Sequence, residues 1–69
     1  MNKHKKKLDS GLLRYIKWDN SLLRVTYQDG TRFIYKSVPE SIYLKILSEP
    51  SAGEFWLSVR DRYDFVQVR

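Results

Sequence analysis

Residues 22–36 read Leu22-Leu23-Arg24-Val25-Thr26-Tyr27-Gln28-Asp29-Gly30-Thr31-Arg32-Phe33-Ile34-Tyr35-Lys36, and their pattern decides the fold. Leu23, Val25 and Tyr27 alternate with Arg24, Thr26 and Gln28, the two-residue period of a strand with one buried face. Asp29-Gly30 is a hairpin signal, because both residues tolerate a left-handed backbone. Beyond it, Phe33 and Tyr35 alternate with Arg32, Ile34 and Lys36. Register selects the turn. A two-residue loop pairs Gln28 with Thr31, puts Val25 opposite Ile34 and splits the apolar set. A three-residue loop with Gly30 left-handed pairs Tyr27 with Thr31 and Val25 with Phe33. Only the second collects Leu23, Val25, Tyr27, Phe33 and Tyr35 on one face, so the bulged loop is predicted.

Working outward, residues 12–18 alternate less cleanly. Leu12, Ile16 and Trp18 share one parity with Arg14 intruding, while Leu13, Tyr15 and Lys17 share the other. Asp19-Asn20 is turn chemistry, and the three strands form an antiparallel meander. Downstream, Pro39 suits the first turn of a helix. Ile42, Tyr43, Ile46 and Leu47 give that helix an apolar face, and Pro50 ends it by disfavouring helical backbone at Glu49. Ser51-Ala52-Gly53-Glu54 has the spacing of a capping box, with the Ser51 hydroxyl accepting the Glu54 N–H. A second short helix then places Ala52, Phe55, Trp56 and Val59 at core spacing, and Tyr63, Phe65, Val66 and Val68 close the chain as a candidate fourth strand. The expected fold is α+β, a three-stranded antiparallel meander packed against two short C-terminal helices. Residues 1–9 read as a flexible basic tail and residues 10–69 as a single domain.

The chain has 69 residues, 42% of them hydrophobic, and no cysteine. It is too apolar to remain disordered at its net charge, and the lack of cysteines points to a reducing, cytoplasmic setting. No apolar run follows the basic Met1-Asn2-Lys3-His4-Lys5-Lys6-Lys7, so it does not read as a signal peptide. No apolar run reaches the ~20 residues of a membrane span, so no membrane is expected as a partner. The net charge is +5, but Lys3, Lys5, Lys6 and Lys7 supply four of the thirteen cations, leaving nine against eight acids in the remainder. Any case for a polyanionic partner rests on where the charges lie, because the sum is small.

Catalysis is not expected. The single His4 lies in the tail without a second ligand, so no metal or cofactor is assigned. Asp19, Asp29, Asp61 and Asp64 fall at turns or helix ends, and Glu40 and Glu54 sit in first helical turns, where they complement the dipole. No glycine run can cradle a phosphate. The sheet face turned away from the helices is more informative. The register above puts Tyr15, Lys17, Arg24, Arg32 and Lys36 on it, with Thr26, Gln28 and Ile34. Cations interleaved with an aromatic on an open sheet suit single-stranded RNA, since bases stack while phosphates pair with Lys and Arg. Solubility alone also favours Arg, Lys and Thr on an exposed strand face. Lys5, Lys6, Lys7, Arg60 and Arg62 are accessory basic candidates, Arg60 and Arg62 also serving the C-terminal end of the second helix.

The order of motifs resembles the KTSC domain: Phe33-Ile34-Tyr35, Val38-Pro39, Tyr43, Ser51-Ala52-Gly53 with Phe55-Trp56, then Val59-Arg60 and Tyr63. The resemblance covers nearly all of the folded part and singles out Phe33, Tyr35, Pro39, Ser51, Gly53 and Tyr63 as family-motif residues. That family is named for its occurrence at the C-terminus of some lysyl-tRNA synthetases and also includes free-standing small proteins. Two features depart from its pattern. Phe33 stands where the family carries the first Tyr of Tyr-x-Tyr, and Trp56-Leu57 stands where it has Phe and Asn. The resemblance, by association with the synthetase, implies RNA or tRNA as the expected partner, and the residues point to a non-catalytic binding module with no small-molecule substrate. The alternative is a protein-interaction module, an adaptor or mobile-element-borne regulator, using Leu13, Leu22, Ile34 and Leu57 as an exposed apolar patch.

Overall fold

The computed structural model describes residues 11–68 and the backbone of Lys5–Lys7. Among these residues five strands and two helices follow in order: β1 (Lys5–Lys7), β2 (Leu13–Asp19), β3 (Leu22–Tyr27), β4 (Arg32–Tyr35), α1 (Glu40–Ser48), α2 (Ala52–Val59), a 3₁₀ turn at Arg60–Arg62 and β5 (Phe65–Val68). They build one antiparallel sheet in the order β1-β2-β3-β4-β5. The expected α+β meander is its middle three strands. The candidate C-terminal strand forms, as β5 beside β4. Lys5–Lys7, within the stretch read as a tail, is the opposite edge of the sheet.

The hairpin between β3 and β4 takes the bulged register. Val25 pairs with Phe33 and Leu23 with Tyr35. The Tyr27 and Gly30 N–H groups donate to the Thr31 and Tyr27 carbonyls, each at 2.9 Å. Gly30 has φ +91, a conformation a Cβ would strain. Asp29 Oδ1 accepts both the Thr31 N–H at 2.9 Å and the Thr31 hydroxyl at 2.7 Å. The hydroxyl bond, then the backbone bond, holds the Asp29 carboxyl below its ordinary range.

The broken alternation in β2 has a structural cause. Leu13 pairs with Tyr27 and Tyr15 with Thr26, so Arg14 is an extra residue at a bulge. The bulge switches parity, so Leu13 and Ile16 both reach the core at 0% exposure. Leu13 is therefore no part of an exposed apolar patch. The turn after β2 is centred on Asn20 and Ser21, at φ 57 and 66, one residue later than the Asp19-Asn20 reading, and Asp19 pairs with Leu22 to close it.

Both helices cover one face of the sheet, burying Tyr43 and Ile46 from α1 and Ala52, Trp56 and Val59 from α2 against Leu23, Val25 and Tyr35. Pro39 is the residue before α1 rather than its first helical residue, with extended backbone (φ −70, ψ 151). Its carbonyl accepts the Ile42 N–H at 3.0 Å. Glu49 is extended (φ −81, ψ 132) ahead of Pro50, as the proline requires. The capping box at α2 does not form. Ser51 precedes the helix but its side chain makes no capping bond, and its carbonyl accepts the Phe55 N–H instead. With φ −111 and ψ 63, Ser51 lies outside the extended backbone of a capping residue. Among the described residues no helix is long and apolar enough to cross a membrane.

Candidate nucleic-acid interface

Strand register arranges the uncovered sheet face as two rows. Tyr15, Thr26, Arg32 and Val68 are successive partners across β2 to β5, and so are Lys17, Arg24, Ile34 and Val66. Neighbouring strands lie ~4.8 Å apart, so each row is a line of closely spaced side chains. Tyr15, Lys17, Arg24, Arg32, Thr26, Ile34 and Val68 line one groove of about 320 Å³. Four of the five residues proposed from sequence, separated by up to 17 positions along the chain, are thus brought together. Tyr15, Lys17 and Arg24 lie on β2 and β3 and Arg32 on β4, while Ile34, Val66 and Val68 make the β4–β5 side largely aliphatic. Asp19 continues the outward parity at the far end of β2, beyond Lys17.

Lys36 is not among the groove residues. It keeps the parity of Arg32 and Ile34 but follows the end of β4, where its N–H donates to the Asp64 carbonyl at 2.8 Å. At β1, Lys5 pairs with Lys17, Lys6 with Ile16 and Lys7 with Tyr15. Positions 5 and 7 therefore abut the ends of the two rows. Arg62 is exposed in the 3₁₀ turn and lines no part of the groove.

Arg60 belongs to the other side of the sheet. Its guanidinium donates to the Tyr27 hydroxyl at 3.1 Å and lies 5.8 Å from the Tyr27 ring centre. The same hydroxyl accepts the Trp56 indole N–H at 3.0 Å and lies 2.7 Å from the Tyr35 hydroxyl. A phenol oxygen has two acceptor sites and one proton. Trp56 and Arg60 are donors only, so together they fill both sites, and the Tyr27 proton goes to Tyr35. Burial pushes the Tyr35 phenol well above its ordinary value, and the Tyr27 hydroxyl raises Arg60 further. Burial, with Glu40 nearby, also raises Tyr43. Sequence reading did not find this network, because Arg60 and Tyr27 are 33 residues apart and each alone fits an ordinary surface or core role.

The family-motif residues are mostly structural. Tyr35 packs edge-on to Trp56 at 4.8 Å between ring centres, and Tyr63 stacks on the same indole at 6.2 Å. Gly53 is buried in α2, and Pro39 and Ser51 precede the two helices. The motif thus encodes the packing of helix on sheet, and the KTSC domain model matches residues 9–63. The chain belongs to the KTSC family. Its structure resembles the crystal structure of a KTSC domain protein from Yersinia pestis, with a TM-score of 0.85, 22% identity, and 94% of this chain and 96% of that one covered. That likeness establishes a shared fold. A comparison with curated proteins finds no match.

Proposed function

We propose that this KTSC domain binds single-stranded RNA, tRNA among the candidates, through the open face of its sheet, acting by binding and not by catalysis in the cytoplasm. The observation that carries the reading is that Tyr15, Lys17, Arg24 and Arg32 line a single groove. A ring flanked by three cations on a solvent-facing sheet offers a base a stacking surface and its phosphates counter-charges. The protein-interaction alternative keeps less support. Of its four named residues, Leu13 is buried and Ile34 lies inside the basic groove, leaving Leu22 and Leu57 partly exposed.

Because Lys5–Lys7 is a strand of the sheet, deleting residues 1–8 removes an edge along with charge. The cleaner experiment replaces Lys3, Lys5, Lys6 and Lys7 with Gln, and separately Arg24 and Arg32 with Gln. RNA affinity is then measured against salt. Each lost phosphate contact is expected to flatten the log–log salt slope by ~0.7 for a single strand, and Tyr15→Ala to weaken binding by ~1–3 kcal/mol. If the groove variants bind like the parent while the lysine variant binds nothing, the folded face is not the reader, and the protein-interaction reading leads.

A further inference from the structure

The covered face of the sheet is not covered completely. Phe33 and Phe65 sit on neighbouring strands with ring centres 5.5 Å apart, on the side that carries the helices, yet Phe65 is 55% exposed and Phe33 half-buried. They continue a chain of rings, Phe33 lying 5.6 Å from Tyr27 and Phe65 5.6 Å from Tyr35. Beside them opens a cleft of about 170 Å³, lined by Phe33, Tyr35, Arg60, Asp61 and Phe65. Arg60 is fixed there by its bond to Tyr27, which uses one of the five N–H donors a guanidinium carries.

We propose that this cleft binds one unstacked nucleobase, with guanine the best match. The exposed Phe65 ring, with half-buried Phe33 set edge-on to it at 63°, offers one face on which a base can stack. Asp61 opposes a phosphate at the same place, so the ligand presents a ring rather than an anion. A carboxylate accepts N–H groups and a guanidinium donates to oxygen or ring nitrogen. Guanine alone among the common bases offers N1–H and N2–H donors on one edge and O6 and N7 acceptors on another, the latter a fit for Arg. At about 170 Å³ the cleft falls short of the ~300 Å³ at which pockets for drug-sized ligands begin, a size that suits a single base and not a whole nucleotide. Phe65 shares β5 with Val66 and Val68 of the opposite face, so a strand lying in the groove reaches the cleft by turning round this edge. That route rests on the proposed RNA binding; the affinity of the cleft for the base does not.

The test is an NMR titration of the full chain with GMP, AMP, CMP and UMP, alongside salt-dependent binding of a uridine hexamer and of the same hexamer carrying one guanosine. GMP is expected to shift the Phe33, Phe65 and Arg60 signals at lower concentration than the other nucleotides, by at least about fivefold. Asp61→Asn, close to isosteric at an exposed position, is expected to remove that preference, and Phe65→Ala to weaken all four nucleotides. If GMP moves none of these signals, or moves them no more than UMP, the cleft is not a guanine site, whatever the hexamers do. If GMP binds there and neither hexamer binds, the base site stands and the RNA-binding reading of the groove falls.

Discussion

Tyr27 holds two donors and gives away its own proton, so a single hydroxyl satisfies groups from α2, the 3₁₀ turn and β4. The two tyrosines of this pair are therefore not equivalent. Tyr27→Phe leaves the indole N–H of Trp56, which is 0% exposed, without its acceptor. An orphaned buried donor costs about 1–3 kcal/mol. Tyr35→Phe orphans one rotatable O–H, that of Tyr27, where Tyr27→Phe takes the acceptor from both Trp56 and Arg60, and is expected to cost less, about 1 kcal/mol. Urea denaturation followed by Trp fluorescence distinguishes them, with Tyr27→Phe showing the lower midpoint at an unchanged slope. A larger loss for Tyr35→Phe means the proton assignment runs the other way. That both rings point inward was legible from their alternation with Arg24, Thr26 and Ile34. That their hydroxyls meet Arg60 was not, because alternation fixes a face and says nothing of partners across the core.

At the scale of elements, local signals succeeded where the backbone conformation they demand was compatible with packing. The Asp29-Gly30 hairpin is the clearest success. A one-residue slip exposes half the core face, so burial and turn chemistry demand the same register. The capping box at α2 is the counter-example: the spacing is present, but the entry from Pro50 leaves Ser51 at φ −111, ψ 63 with its hydroxyl unused for capping. Two substitutions follow from this contrast. Gly30→Ala meets no atom within 4 Å but must hold φ +91, and is expected to cost ~1–2 kcal/mol from backbone conformation alone. Ser51→Ala is expected to stay within ~0.5 kcal/mol of the parent. Chemical denaturation of both checks this, and a Ser51→Ala loss as large as that of Gly30→Ala would show the cap to form in solution.

For the whole molecule, the question is how much of the stability depends on one indole. Trp56 is fully buried, edge-on to Tyr35 and stacked on Tyr63, whereas Phe55 is half-buried with the Lys45 ammonium 5.5 Å from its ring. Truncating a buried aromatic to Ala costs ~3–5 kcal/mol, against a total of only ~3–10 kcal/mol for a chain this short. Trp56→Ala is therefore expected to be unfolded at 25 °C, and Phe55→Ala folded with a lowered Tm, as read by circular dichroism. A Trp56→Ala variant that melts like the parent would place the centre of the core elsewhere.

The sequence by itself determined the meander, its bulged hairpin, the end of α1 at Pro50, and which face of β3 and β4 carries charge. Each of these follows from short-range periodicity and from backbone angles that particular residues favour or forbid. Tertiary structure decided what that information does not contain. The Arg14 bulge puts Leu13 in the core and leaves Tyr15 and Lys17 facing the groove, because a bulge yields to burial across the sheet and not to local preference. Lys5–Lys7 becomes an edge strand because β2 presents an open edge to pair with. Arg60, grouped from sequence with the other cations, lies on the opposite side of the sheet from them because it directly follows α2, which packs on that face, and there its guanidinium reaches the Tyr27 hydroxyl. Contacts made across the core, such as Arg60 with Tyr27 33 residues away, are set by long-range packing, and no window of neighbouring residues records them.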